Sequence, residues 1–121
     1  MDVPPIPLDI LGAVPYGTDD GMEKVRQATA ALERAFAHAG ALYDRGDHGQ
    51  AAEAFMNAAR AARTHDLLAP HRTACYRNAA KAWARAGAIE EKRPLLDQAA
   101  REDPLCADEI HAILEILLGS R

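Results

Sequence analysis

The chain has 121 residues, 49% of them apolar but only 5% aromatic, and a formal charge of −4; this length makes one domain able to bury a core without disulfides or a structural metal. Alanine supplies most of the apolar share, which disfavours thick sheet layers and points to slim helices packed at short distance, an all-α fold. A pI near 5.7 argues against a general nucleic-acid binder, because phosphate neutralisation needs a net basic face.

The charge is unevenly spread. Residues 60–93 hold eight cations against three acids, whereas residues 1–59 hold four against nine and residues 94–121 two against six. The middle of the chain is therefore its basic part. Cys75 and Cys106 are too few for a disulfide framework and read as buried free thiols. Arginine outnumbers lysine 11 to 3 beside abundant alanine, a composition of GC-rich bacterial genomes.

Residues 1–17 alternate Pro4, Pro5, Pro7 and Pro15 with Val3, Ile6, Leu8, Ile10, Leu11 and Val14, a pattern of extended or polyproline-like backbone. So apolar an arm is expected to lie in a groove, either of its own domain or of a partner. It lacks a basic start followed by an apolar stretch, so no secretory signal is read and the cytoplasm is the expected location. The remainder, 18–121, reads as a single helical domain.

Asp20 and Glu23 are spaced as a capping box opening a first helix over about 22–45, with Met22, Val25, Thr29, Leu32, Phe36, Ala39 and Tyr43 as its apolar stripe. Gly46 stops it. Asp47 and Gln50 form a second capping box for a helix through about Arg63, burying Ala51, Phe55, Ala58 and Ala62. Leu67, Leu68 and Ala69 lead to Pro70 in the first turn of a third helix, which buries Tyr76, Ala79, Ala80 and Trp83 and stops at Gly87.

A fourth helix begins between Ala88 and Pro94 and runs to Glu102, with Pro94 expected in its first turn, since an interior proline costs about 3 kcal/mol. Asp103 is placed as the N-cap, and Pro104 as the first residue, of a fifth helix ending at Leu118 before a frayed Gly119, Ser120 and Arg121. No apolar run approaches the roughly 18 to 20 residues of a membrane span, so no membrane partner is expected.

These two helical hairpins resemble degenerate tetratricopeptide repeats. In the second, Tyr76, Ala79, Ala80, Trp83, Gly87, Leu96, Ala99 and Pro104 fall where that family favours its aromatic, small, turn, bulky and terminating residues. Lys92 departs from the pattern by standing where a small alanine is usual. The first contributes Leu42, Gly46, Asp47, Ala51, Phe55 and Ala58, but has Ala35 in place of an aromatic and lacks the closing proline. Gly46 and Gly87 are 41 residues apart, against a family period of about 34, which places an enlarged loop at Thr64 to His71. The resemblance covers residues 32–104 and implies a right-handed α-solenoid, with a compact helical bundle as the other reading of the same five helices. Two repeats are short for a solenoid, so the arm or a second copy would cover exposed core.

Arg77, Lys81 and Arg85 are spaced by four, forming a cationic row turned away from Tyr76, Ala79 and Trp83. The resemblance implies that this row faces a concave groove holding an extended peptide with acidic side chains or a free carboxylate, with Asn78 as a further donor and Phe36 and Tyr43, beside Glu33 and Gly40, as apolar contacts. The competing reading is an ordinary solvated face. Ile110, Ile113, Leu114 and Leu117 form a second candidate surface on the last helix, broadened by Ile116 and Leu118, suited to the arm or to self-association.

His71 and Cys75 share helical spacing, with His65 just upstream, but a zinc site wants a fourth ligand and no metal is expected. Glu90, Glu91, Asp108 and Glu109 read as helix-start acids. With no glycine-rich phosphate loop, G-x-S-x-G elbow or HExxH helix, neither catalysis nor a cofactor is expected. The leading expectation is an adaptor or chaperone-type module that binds a short acidic segment of another protein; the alternative is a structural subunit self-associating through its last helix or arm, without a peptide ligand.

Overall fold

The computed structural model describes residues 18–119, and every regular element among them is helical. The helices are α1 (Thr18–Asp44), α2 (His48–Ala61), α3 (Ala69–Arg85), α4 (Ile89–Glu102) and α5 (Ala107–Leu118), with 3₁₀ turns at Asp66–Leu68 and Pro104–Cys106. This is the all-α, five-helix fold expected. The arm at 1–17 and the chain end at Ser120 and Arg121 lie outside the described residues.

Gly46 and Gly87 close the two hairpins by the same device. Each has a positive φ, 91° and 73°. At the first, the Gly46 N–H donates to the Tyr43 carbonyl and the Asp47 N–H to the Leu42 carbonyl; at the second, Gly87 donates to Ala84 and Ala88 to Trp83. These are Schellman closures, in which glycine alone takes the left-handed conformation without a Cβ penalty.

The second expected capping box does not form, and Asp20 of the first stands inside α1. Asp47 makes no side-chain cap, because its backbone is committed to the Schellman turn and its carboxylate pairs with Arg45 at 3.1 Å. It serves α2 through its carbonyl alone, which accepts from the Ala51 N–H. The first helix starts at Thr18, upstream of Asp20, and Glu23 accepts hydrogen bonds from Arg26 and Gln27. Pro94 is also corrected: α4 begins at Ile89, so the proline stands beyond the first turn, inside the helix and on its exposed side.

The packing explains the alanine content. Helix α2 lies between α1 and α3 and buries two faces, Ala51, Ala52, Phe55, Met56, Ala58 and Ala59, so small residues set both approaches. On α3 the expected stripe is buried and extends to Arg72, Cys75 and Ala82. On α1 the buried residues are Leu32, Ala39 and Leu42, with Ala28 and Ala35 packed beside them. The expected stripe is therefore turned part-way out of the core: Phe36 and Tyr43 are half-buried and Met22 is 50% exposed. At 27 residues α1 spans about 40 Å and outruns its 14-residue partner, which leaves its first turns without α2 to pack on. The residues expected as an enlarged loop become a 3₁₀ turn anchored by buried Leu68 and the first turn of α3.

One buried polar cluster locks the two hairpins together. Arg72 Nε and Nη2 donate to the two carboxylate oxygens of Asp103 at 2.7 and 3.1 Å, and Nη1 donates to the carbonyls of Ala62 and His65. The Tyr76 hydroxyl donates to Asp103 at 3.1 Å. Both charged side chains are at most 3% exposed. No buried side-chain nitrogen or oxygen among the described residues lacks a partner, the condition under which a buried ion pair is tolerable. Burial pushes the Asp103 carboxyl up, but the hydrogen bonds and charge of Arg72 outweigh it and hold it below the usual carboxylate range. Asp103 stands at the N-cap position expected for it, before Pro104, but of a 3₁₀ turn that precedes α5, and it makes no side-chain cap bond, because its carboxylate is taken by Arg72 and Tyr76.

Candidate functional site

The third helix carries two faces with opposite tasks. Arg72, Cys75, Tyr76, Ala79, Ala80 and Trp83 point into the core, and this orientation turns His71, Ala74, Asn78, Lys81 and Arg85 outward along a single strip. Ala74, Lys81 and Arg85 are seven and eleven residues apart, nearly whole numbers of turns, so they lie in line; Arg77 flanks them. Arg77, Lys81 and Arg85 are exposed and Asn78 is half-buried. None of the three cations forms an ion pair among the described residues.

At the start of this strip is a hollow of about 280 Å³ between α1 and α3, lined by Leu32, Glu33, Phe36, Ala37, His71 and Ala74. Its walls are almost entirely carbon. The Phe36 ring meets Phe55 of α2 edge to face at 5.1 Å, which fixes one wall while leaving the other side of the ring to the hollow. Tyr43, two turns further along α1, stacks edge-on against His48 at 4.9 Å and does not line the hollow. The structure thus brings Phe36, Ala74, Asn78, Lys81 and Arg85 to one strip, an apolar end followed by a cationic end. Sequence reading missed the contribution of Leu32, His71 and Ala74. Extending the exposed row back from Asn78 by one turn and then two would have reached Ala74 and His71, whereas Leu32 is brought there from α1 by tertiary packing.

A hollow of about 480 Å³ lies between α4 and α5, with Glu90, Arg93, Asp97, His111 and Glu115 among its walls and Leu114 and Leu118 at its floor. Arg93 and Asp97 face each other at 3.7 Å, so the hollow's arginine is already paired, and Glu90 and Glu115 leave the walls acidic. A further hollow of about 340 Å³ between α2 and α4 is bridged by Arg63 and Glu102 at 2.9 Å. The smaller α1/α3 hollow is the better binding candidate, because an apolar floor there continues into cations that form no ion pair among the described residues.

On α5, Ile110, Ile113 and Leu114 are buried, Leu117 is half-buried and Ile116 is 74% exposed. The side chains read as a second surface are thus mostly used inside the chain, against α3 and α4. Glu90, Glu91, Asp108 and Glu109 occupy first helical turns as expected. His71 is exposed while Cys75 is fully buried, and no group of three or more His, Cys, Asp or Glu suited to a metal ion occurs among the described residues. Burial, together with Cys106, pushes the Cys75 thiol up to about 11; burial also raises Cys106, which accepts from the Thr73 hydroxyl at 3.3 Å. No described helix is long and apolar enough to cross a membrane.

Comparison of the chain with protein-family profiles, with curated proteins and with solved structures found no match.

Proposed function

We propose that this chain is a protein-interaction module of the adaptor or chaperone type, similar to tetratricopeptide proteins, acting in the bacterial cytoplasm. It holds a short acidic segment of another protein along the α1/α3 strip. The observation that carries this reading is the continuity of the apolar hollow at Phe36 and Ala74 with the cations Arg77, Lys81 and Arg85, none of them paired among the described residues. A cationic row alone is a common solvated face and contributes little to affinity. Joined to an apolar anchor it selects a peptide by both features, the hollow taking one aliphatic side chain and the cations setting charge and register.

Lys81 and Arg85 lie about 10 and 16 Å beyond Ala74 along the helix. An extended peptide advances about 3.3 Å per residue, so its acids belong roughly three to five residues from its aliphatic anchor. The test is fluorescence anisotropy with a labelled peptide of that pattern. Binding should weaken as salt rises and be largely lost in the Lys81→Glu/Arg85→Glu chain. Binding indifferent to salt and to both reversals would remove the row from the mechanism.

A further inference from the structure

The outward side of α5 is complementary to the α1/α3 strip in charge and in spacing. Glu109, Ala112 and Ile116 follow one another at steps of three and four, with Asp108 and Glu115 alongside and Leu105 in the 3₁₀ turn just before the helix, and all six are exposed. Leu105 is 60% and Ile116 74% exposed, among the most exposed large apolar side chains described. The helix carries Asp108, Glu109 and Glu115 and no lysine or arginine. None of the three carboxylates forms an ion pair among the described residues.

The registers agree. Ile116 and Glu109 are seven residues apart on α5, as Ala74 and Lys81 are on α3, and both helices rise about 1.5 Å per residue. With α5 of one molecule antiparallel to α3 of another, Ile116 in the hollow beside Ala74 and Phe36 sets Ala112 over Asn78 and Glu109 over Lys81, with Asp108 between Lys81 and Arg85. Ala112 is small enough for the helices to approach closely at the centre of this contact. Asp108 and Glu109 fall in the first turn of α5 and Arg85 in the last turn of α3, where each also complements its own helix dipole.

We propose that a second copy of this chain occupies the groove: the outward face of α5 from one molecule docks on the α1/α3 strip of the next. This rests on the reading of that strip as a binding surface. Because two different patches meet, the contact is heterologous, and each added molecule leaves one strip and one α5 face free. Association is therefore open-ended and competes with any acidic peptide for the same cations.

The test is mass in solution, by light scattering or sedimentation on the full chain, with far-UV circular dichroism confirming the fold of each variant. At low salt the weight-average mass should climb above 13.1 kDa with concentration, and the association constant should fall by about tenfold or more at high salt. Lys81→Glu/Arg85→Glu blocks the strip, and Glu109→Lys/Ile116→Ser blocks α5, so each variant alone should stay monomeric. Mixed in equal amounts, they should form a 1:1 complex that grows no further, since one intact strip and one intact helix remain.

A wild-type chain that stays at 13.1 kDa at all concentrations in low salt overturns the proposal, as does self-association untouched by either variant. If the acidic peptide still binds such a monomer, the strip keeps its function and only self-docking falls. If the peptide fails as well, both fall.

Discussion

The carboxylate of Asp103 lies 2.7 Å from Nε and 3.1 Å from Nη2 of Arg72, across 31 residues of sequence and with both side chains buried. This fork joins α3 to the turn that opens α5, while the third guanidinium nitrogen holds the end of α2 through Ala62 and His65. It thereby fixes the rotation of α3, which keeps Tyr76 and Trp83 inward and Lys81 and Arg85 outward.

Breaking this pair should cost more than any surface change. Asp103→Ala alone leaves a buried guanidinium without its counter-charge, an expected loss of about 3–5 kcal/mol by urea denaturation. Combining Arg72→Met with Asp103→Ala should cost less than the sum of the single changes. It should not return to zero, because the Ala62 and His65 carbonyls and the Tyr76 hydroxyl would then be orphaned, at about 1–3 kcal/mol for each buried group. Additive single effects would show that the pair is not coupled.

The same pair sets the acid limit of stability. The Asp103 carboxyl titrates lower in the folded chain than in the unfolded one, where it is near 3.9. Its contribution is therefore complete above about pH 5 and is lost as the pH falls through the folded value. Melting temperature should be flat from neutrality to about pH 5 and then decline, with a shallower acid slope in Asp103→Asn.

How much of this was legible in the sequence differs between local and long-range features. Gly46 and Gly87 announced both hairpin closures, because a helix stop of this kind is written in one residue. The buried stripes of α2 and α3 were legible because 3.6-residue periodicity determines them. Asp103, standing before Pro104, looked like a cap. Its real partner, Arg72, sits one turn before Tyr76 on the inward face, and a cation there requires a buried acid that only the tertiary fold identifies. The α1 stripe was legible in part for a related reason: Leu32 and Ala39 are buried, but Phe36 and Tyr43 are only half-buried, because the smaller Ala28 and Ala35, outside that stripe, also face the core and let α2 approach. The cationic row was visible, but the hollow that precedes it exists only between two helices.

Glycine-to-alanine changes should separate by backbone conformation. Gly46→Ala and Gly87→Ala force a Cβ into the left-handed region and should each destabilise by about 1–2 kcal/mol. Gly40 lies within α1, and a Cβ there meets nothing within 4 Å, so Gly40→Ala should stabilise by up to about 1 kcal/mol. Thermal melts of the three variants read the sign directly.

Both thiols should be inert in the folded chain. Cys75 and Cys106 have no exposed surface, and burial holds the Cys75 thiol up at about 11. Alkylation at pH 8 should be slow and limited by opening of the fold, rising sharply in denaturant. Rapid labelling without denaturant would contradict the packing around α3.

The most direct measurement is a map of backbone amide shifts in the ¹⁵N-labelled chain on addition of an acidic peptide carrying one leucine. The account predicts perturbations grouped on residues 32–40 of α1 and 71–85 of α3, fading with added salt. Perturbations centred instead on α2 and α4, or none at saturating peptide, would contradict it.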